Sequence, residues 1–366
     1  MEGGVAACER RAPLRRLTAE TEPQKTNHRN RTTESDPPMN EYFTTADGAH
    51  HVRPALRTVD VGIVGGGPAG LSAALVLGRA RRSTVVIDGG RPRNRRAPHL
   101  HGVLGRDGMS PAEFLERGRK EARGYGVQIL DGDVIAIEQV EGGFLLRGAY
   151  DVLARRVIVA TGLVDDLPAI PGLAERWGTD AVMCPYCDGW EVRDRPLGVV
   201  ATSPMSRNQA QLLRQWTADL TVFGAAEAGI ADAELRAFAA RGIRVAPPAI
   251  EVVGGPGELR VRTSDGEHDV ARLFVGARPS PSDALLTGLG CDIHETPMGQ
   301  VVTTDPTGRT SVDGVWAIGN VADLKSLVPL AVAAGVQSAT QINISLLEEE
   351  IAQALESTPS GKEAAA

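Results

Sequence analysis

Short apolar runs alternate with helix-length segments along most of this chain. Residues 59–64 (VDVGIV) and 84–87 (TVVI) predict buried strands, and residues 71–77 (LSAALVL) predict a helix between them. Further strands are predicted by the apolar runs at residues 157–160, 196–200, 221–223 and 315–318. Buried strands separated by helices are typical of an α/β fold built on parallel sheets.

The two ends of the chain are more polar. Residues 1–57 are rich in Arg, Glu, Thr and Asn and lack the apolar core of a secretion signal. We predict a disordered tail there, or an over-extended start with Met39 as the initiator. A last helix begins near Ala331, and residues 349–366 predict a flexible tail after it.

Composition excludes several classes of protein. The 366 residues are enough for two domains, and the net charge of -7 argues against nucleic acid as a partner. No apolar run approaches the ~20 residues that span a bilayer, so we expect no membrane segment and a cytoplasmic protein. Four cysteines in this length indicate redox or metal chemistry and not a disulfide scaffold.

The first strand and helix enclose a glycine loop, GGGPAG, at residues 65–70. The second strand ends at Asp88, about 20 residues beyond that loop. Gly65, Gly67 and Gly70 allow a tight turn and a close approach of the backbone to a pyrophosphate, and the helix N-terminus favours its charge. Asp88 is the expected acceptor for ribose hydroxyls. A tight structural turn is the alternative, but strand, loop, helix, strand and acid together predict nucleotide binding.

A second motif, CPYCDG at residues 184–189, lies far downstream. Cysteines at positions i and i+3 of a helix start lie on one face and can close a small disulfide ring. A helix N-terminus lowers a thiol pKa, so one sulfur can be a thiolate near neutral pH. Asp188 follows at once as a proton donor and acceptor.

Two other interpretations of the cysteine pair stay open. A zinc site needs about four ligands, and the remaining thiols, Cys8 and Cys291, form no second CxxC. An inert buried pair is also compatible with the spacing. Cys291 is interpreted as an apolar filler of the core.

Taken together, the glycine loop and the CxxCD motif make the chain resemble a low-molecular-weight thioredoxin reductase, an FAD-dependent pyridine nucleotide-disulfide oxidoreductase, over residues 59 to 347. The resemblance implies an α/β fold with two Rossmann-like (three-layer ββα) dinucleotide-binding domains, the second inserted in the first. Residues 58–166 and 282–348 would form the FAD domain, and residues 167–281 the NAD(P)-binding-like domain that carries the CxxC. It also implies a homodimer.

The resemblance further implies roles for individual residues. Cys187 would face the flavin, Cys184 would exchange with substrate, and Asp188 and His101 would move protons; His99 and His101 are alternatively packing residues of the flavin loop. FAD contacts would come from the glycine loop and from the segments VIVATG (157–162) and GVWAIGN (314–320), where Asn320 stands in place of the family's usual acid. The implied FAD-binding residues are Gly65, Gly67, Pro68, Ala69, Gly70, Asp88, Gly89, Asn94, His101, Val134, Ala160, Thr161, Gly162, Gly319, Asn320 and Ala331.

The second domain departs from the family pattern at the NADPH site. A glycine loop is expected after the strand at 196–200, but residues 201–206 read ATSPMS. Side chains there crowd a pyrophosphate, and Pro204 removes a backbone donor. The basic cluster that reads a 2′-phosphate is replaced by AAEA at residues 225–228. These two departures predict poor binding of NADPH.

Our interpretation is an FAD-dependent thiol-disulfide oxidoreductase that oxidises a small-molecule or peptide dithiol, with oxygen as the acceptor, like the dithiol oxidase branch of the family (gliotoxin and holomycin type). A thioredoxin-disulfide reductase that uses NADPH or another electron donor, such as ferredoxin, is the first alternative. A flavin-binding redox sensor is the second.

Overall fold

The structure, a computed structural model, describes residues 41–44, 50–53, 56–255 and 257–357. The strands in chain order are β1 (Glu41–Thr44), β2 (His50–Arg53), β3 (Arg57–Val64), β4 (Thr84–Asp88), β5 (Gln128–Asp131), β6 (Val134–Val140), β7 (Gly143–Gly148), β8 (Val152–Val159), β9 (Leu163–Asp166), β10 (Ala181–Val182), β11 (Leu197–Val200), β12 (Leu220–Phe223), β13 (Arg244–Ala246), β14 (Glu251–Val253), β15 (Arg260–Thr263), β16 (Gly266–Asp269), β17 (Arg272–Val275), β18 (Arg278–Pro281), β19 (Ile293–Thr296), β20 (Gly299–Val302) and β21 (Val315–Ala317). The helices are α1 (Pro68–Arg79), α2 (Pro111–Gly124), α3 (Pro185–Asp188), α4 (Ser206–Leu213), α5 (Asp232–Ala240), α6 (Ala284–Gly288) and α7 (Val328–Ser357), with short 3-10 turns at Ala174–Arg176 and Gly319–Val321.

The first sheet has the strand order β5-β4-β3-β8-β7-β6, and β21 pairs with β8. Strands β3, β4, β8 and β21 run parallel. The β4 strand is buried along its whole length because apolar clusters cover both faces of the sheet. One of these clusters joins the sheet to α1 and α7, so the glycine loop lies between β3 and a well-packed helix.

A second sheet is inserted between β8 and β21 in the chain. Its order is β10-β17-β11-β12-β13, all parallel, and apolar clusters line both of its faces. The three-stranded antiparallel sheet β14-β15-β16 belongs to the same insert. Strands β9 and β18, which lead into and out of it, pair antiparallel. The predicted α/β fold class, with one dinucleotide-type domain inserted in another, is confirmed.

The N-terminal part differs from the predicted tail at residues 1–57 in two places. Strands β1 and β2 pair antiparallel, with Glu41 opposite Arg53, and β3 begins at Arg57. The aromatic and β-branched residues within β1 and β2 favour extended backbone. The prediction for residues 1–40, including Met39 and Cys8, lies outside the described residues.

The C-terminal prediction was also wrong in its boundary, because α7 continues to Ser357 and not to residue 348. Ion pairs anchor the additional turns to the first sheet. Glu349 lies 2.8 Å from the Arg156 guanidinium and 3.2 Å from that of Arg155, and Glu350 pairs with Arg82 and Arg155. Residues 358–366 lie outside the described part of the chain.

Helix α7 bears on the expectation that no segment of the chain spans a membrane. Its 30 residues are long and apolar enough to cross a membrane, by length and composition alone, although no continuous apolar run predicted this. In the fold its buried face, which includes Gly335, Ala339 and Ile342, packs against α1. Burial of a side chain such as Ile342 stabilises this packing by about 2 kcal/mol.

Candidate active site

Close contacts explain the glycines of the loop between β3 and α1. Gly65 has a φ of 103°, and a Cβ there would lie 2.4 Å from the Ala160 carbonyl oxygen. A Cβ on Gly70 would lie 2.0 Å from the Gly65 carbonyl oxygen. Gly67, in contrast, has no atom within 4 Å of where a Cβ would be. The loop is therefore sealed toward the fold and open on one side, just before Pro68 begins α1.

The other predicted cofactor segments converge on the start of α1. A Cβ on Gly319 would lie 3.0 Å from the Ala69 Cβ, and Ala331 shares a packed cluster with Ala69. Thr161 Oγ1 donates to the Ser282 carbonyl, 2.7 Å away, and Gly162 follows with a φ of 73°. Three segments that are spread over residues 65–320 of the sequence thus meet beside one helix N-terminus, since the Gly65 turn also approaches the Ala160 carbonyl oxygen.

Asp88, at the end of β4, forms more contacts within the protein than its predicted role as an acceptor for ribose hydroxyls requires. Its carboxylate lies 2.8 Å from Arg119 Nη2 and accepts from the Gly90 N–H at 3.2 Å. Burial opposes ionisation, but the Arg119 hydrogen bond and the N–H groups of Gly66 and Gly90 outweigh it, so the pKa of Asp88 is lowered. Arg119 had no signal in the sequence, because it lies on α2, outside the strand–loop–helix motif.

The remaining predicted cofactor residues lie in the 3-10 turn after β21, in the loop after β4 and in β6. Asn320 donates both amide hydrogens to backbone carbonyls, of Asp323 at 2.9 Å and Ser326 at 3.0 Å, so its Oδ1 is the atom left for a ligand hydroxyl. Gly89 follows Asp88, Asn94 lies in the loop after β4, and Val134 opens β6, where it packs against the core.

The cysteine pair lies at the start of α3. Cys184 is the residue before the helix, and its Sγ lies 2.6 Å from that of Cys187, which donates its thiol hydrogen. This bond, aided by the N–H groups of Cys187 and Tyr186, lowers the pKa of Cys184 to about 7 against burial and the charge of Asp188. The pKa of Cys187 is raised, first because its proton is held by Cys184 and then because it is buried. The two sulfurs are as close as predicted, and the thiol whose pKa is lowered toward neutral is that of Cys184.

Asp188 lies among opposing charges beside the pair. Burial raises its pKa to about 6; Glu191 acts in the same direction, while Arg272 and His101 lower it. Arg272 Nη1 lies 3.9 Å from Asp188 Oδ1. A carboxyl group that titrates near neutral pH is suited to accept and return protons.

Of the two predicted histidines, the structure brings only His101 to the pair's surroundings. His101 Nε2 lies 3.4 Å from Glu191 Oε1, and its Nδ1 lies 3.3 Å from Asp107. His99 is exposed and bonds through Nδ1 to the Gly108 carbonyl of its own loop, at 3.0 Å. The loop of the first domain therefore contacts the CxxC domain through His101.

Two further side chains hold the segment that leads into Cys184. Arg93 forms a bidentate ion pair with Asp165, at 2.9 and 2.6 Å, and its Nη2 lies 3.4 Å from the Met183 sulfur. Gln209 on α4 donates to the Met183 carbonyl at 2.7 Å. Arg93 lies in the same loop between β4 and α2 as His101, but Gln209 had no local signal in the sequence.

The zinc interpretation and the role of Cys291 depend on which side chains the structure brings together. Within the ranges the structure describes, no group of three or more His, Cys, Asp or Glu side chains is placed to hold a metal ion. Cys291 is 6% exposed in the core, with its Sγ 3.5 Å from Thr310 Oγ1.

Two dinucleotide-type sheets, with a pair of adjacent thiols in the inserted domain, define the class of flavin-dependent disulfide oxidoreductases. Residues 59–338 match the family model described as pyridine nucleotide-disulphide oxidoreductase. The chain is 34% identical to the thioredoxin reductase tcpT of Claviceps purpurea over 303 residues, covering 78% of this chain and 94% of that protein. The crystal structure of HlmI matches with 41% identity and a TM-score of 0.77, over 86% of this chain and 98% of HlmI. An oxidoreductase from Agrobacterium tumefaciens matches with 36% identity and a TM-score of 0.75, over 80% and 99%.

The chain belongs to the pyridine nucleotide-disulphide oxidoreductase family, and it is an FAD-dependent oxidoreductase of the thioredoxin reductase-like type. The residues present fit the cofactor. The open side at Gly67, the N-terminus of α1 with no side-chain cap, and Asp88 bonded to the Gly66 N–H form a cradle for a dinucleotide.

Proposed function

We propose that this protein is a dithiol oxidase: it converts a small-molecule or peptide dithiol into a disulfide through Cys184 and Cys187, with dioxygen as the final acceptor. The observation that carries the proposal is the turn between β11 and α4. Thr202 Oγ1 donates to the Gly276 carbonyl, and Ser206 Oγ accepts from the Thr202 N–H at 3.1 Å. Groups that would face a pyrophosphate are thus occupied by the protein.

The end of β12 supports the same conclusion. Glu227 is exposed in the AAEA segment that follows this strand, where a cation would be needed for a 2′-phosphate. A carboxylate at that position repels a phosphate. Weak NADPH binding leaves a substrate thiol as the source of electrons.

The cysteine pair can accept those electrons by exchange. A substrate thiolate attacks Cys184 Sγ of the Cys184–Cys187 disulfide, and Cys187 leaves with the electron pair and takes up a proton. The second thiolate of the substrate then attacks the substrate sulfur that is bonded to Cys184. The substrate disulfide forms, and Cys184 is released as a thiolate. The substrate loses two electrons and two protons, and the pair gains two electrons.

The proposed proton acceptor for the incoming substrate thiol is Asp188, whose pKa is also influenced by the nearby His101 and Glu191. Cys184, with a pKa of about 7, is the better leaving group of the two sulfurs when product departs. FAD, when bound, would supply the acceptor for the two electrons of the reduced pair and for two protons, those held by Cys187 and Asp188, and would return them to dioxygen as hydrogen peroxide.

Substrate access is favoured by exposed aromatic rings around the pair. Tyr186 is 67% exposed and Trp190 is 64% exposed. Tyr186 packs edge-on against Trp216, at 5.9 Å between ring centroids, and Arg193 lies 4.0 Å above the Trp190 ring. Such a surface suits an apolar or aromatic dithiol.

The alternative within the same chemistry is a thioredoxin-disulfide reductase. The name of the Claviceps purpurea relative and the intact second parallel sheet favour it. The second alternative is a redox sensor, in which the pair changes state without turnover.

The test is anaerobic mixing of the FAD-loaded protein with NADPH or with a dithiol such as dithiothreitol, followed by admission of air. We expect dithiothreitol to bleach the flavin absorbance and air to restore it with release of peroxide. Rapid bleaching by NADPH would instead support the reductase. Unchanged dithiol turnover in a Cys184→Ser/Cys187→Ser double variant would refute a redox role of the pair.

A homodimer and a cytoplasmic location are part of the proposal. Helix α7 carries an exposed apolar stripe at Ile344, Leu347, Ile351 and Leu355, between 45% and 71% exposed, which a second copy would cover. A reduced dithiol and a flavoprotein fold suit the reducing cytoplasm.

A further inference from the structure

Arg272, the first residue of β17, contacts the CxxC motif from a distant part of the chain. Its Nη1 donates to the Thr179 carbonyl and lies 3.9 Å from Asp188 Oδ1. The side chain is 19% exposed, and its Nε is buried without a hydrogen-bond partner in the described structure. A buried guanidinium donor that stays unbonded is costly, so its position needs a compensating role.

The charges around Asp188 supply that role. On its own segment, Glu191 is negative and opposes ionisation of the carboxyl group, and the charge of Asp188 in turn raises the pKa of the Cys184 thiol. From the loop of the first domain comes His101, whose charge depends on pH and which is shared with Asp107 and Glu191. Arg93 acts on Cys187 and is paired with Asp165. Arg272 is therefore the permanent cation that acts on Asp188 itself.

We propose that Arg272 is the positioning residue of the proton acceptor: its guanidinium keeps the Asp188 carboxylate ionised and fixed beside the cysteine pair. This inference rests on the proposed function, because it assigns Asp188 the proton of the substrate thiol. In that step the S–H bond of the substrate breaks, the sulfur keeps the electron pair, and the proton forms an O–H bond on Asp188. Arg272 offsets the burial and the neighbouring negative charges, so the carboxylate is available at neutral pH.

The test compares Arg272→Gln, which keeps a donor toward Thr179, with Arg272→Lys, which keeps the charge. Arg244→Gln is the matched control, because Arg244 is also the first residue of a strand in the same sheet but pairs with Asp219. The holoenzyme is titrated by infrared spectroscopy, and the Asp188 carboxyl band is identified by its absence in Asp188→Asn. The pH profile of dithiothreitol oxidation is measured on the same samples.

We expect Arg272→Gln to move the carboxyl midpoint upward by about one pH unit, which is a tenfold gain in proton affinity. The acid limb of the pH profile should move with it, while Arg272→Lys and Arg244→Gln stay near the parent protein. We expect the same upward move in a second charge-free variant, Arg272→Met. The test therefore remains possible if one of the two charge-free variants misfolds.

An unchanged carboxyl midpoint in folded, FAD-loaded Arg272→Gln or Arg272→Met would overturn the inference. Failure of the proposed function has a different signature, which is a parent protein that does not oxidise dithiols at all. The infrared midpoint still reports on Arg272 in that case.

Discussion

Replacing Asp188 by asparagine removes a proton acceptor and a negative charge while keeping the size of the side chain. With a pKa of about 6, the carboxyl group is ionised in roughly nine of ten molecules at pH 7. Loss of a positioned proton acceptor lowers a rate by about 10²- to 10⁴-fold. We therefore expect Asp188→Asn to slow anaerobic flavin reduction by dithiothreitol by this factor, and to abolish the loss of rate that we expect of the parent protein below about pH 6.

The same substitution should make Cys184 more reactive. The charge of Asp188 raises the pKa of Cys184, so its removal favours the thiolate. A decrease of about half a pH unit from a pKa of about 7 increases the thiolate fraction at pH 6 roughly two- to threefold. Alkylation of the reduced protein by iodoacetamide, followed by mass spectrometry, measures this directly. Slower turnover together with faster alkylation is a combination that general damage to the site does not produce.

Asp194→Asn is the matched control for this experiment. Asp194 is an exposed acid six residues further on, and its φ of 61° is one that asparagine adopts readily. We expect it to leave both rates unchanged. If Asp188→Asn also leaves the two rates unchanged, the assignment of Asp188 as proton acceptor is wrong.

Two further predictions concern the scaffold. A Cβ on Gly335 would lie 2.3 Å from the Ala69 carbonyl oxygen. Gly335→Ala should therefore separate α1 from α7 and destabilise the fold by about 1–3 kcal/mol, with loss of FAD. Gly288→Ala, where the added Cβ meets no atom within 4 Å, should have no such effect, and urea unfolding and flavin content measure the difference. Leu347→Glu should convert a dimer into monomers in light scattering, while Ile135→Glu, on a still more exposed apolar residue of β6, should leave the mass unchanged; a monomeric parent protein would contradict the dimer.

Local sequence spacing was sufficient to predict the two motifs. The glycine loop and the CxxCD motif are each a single short stretch of sequence. A few backbone angles therefore determine the conformations of Gly65 and Gly70 and the distance between Cys184 and Cys187. The alternation of buried strands with helices was equally sufficient for the α/β class, because hydrophobic periodicity reports which face of an element is buried.

Pairings across the fold could not be predicted in this way. Arg119 beside Asp88, His101 beside Glu191 and Arg272 beside Asp188 join residues from different elements, and a charged residue on a strand end or loop gives no sign of its partner. The end of α7 was missed for the same reason, since Glu349 and Glu350 look like a polar tail until Arg82, Arg155 and Arg156 are seen beside them. The chain carries its cofactor loop and its dithiol as local motifs, but the charges that set their reactivity are assembled by packing, because electrostatic interaction depends on distance in space and not on distance along the chain.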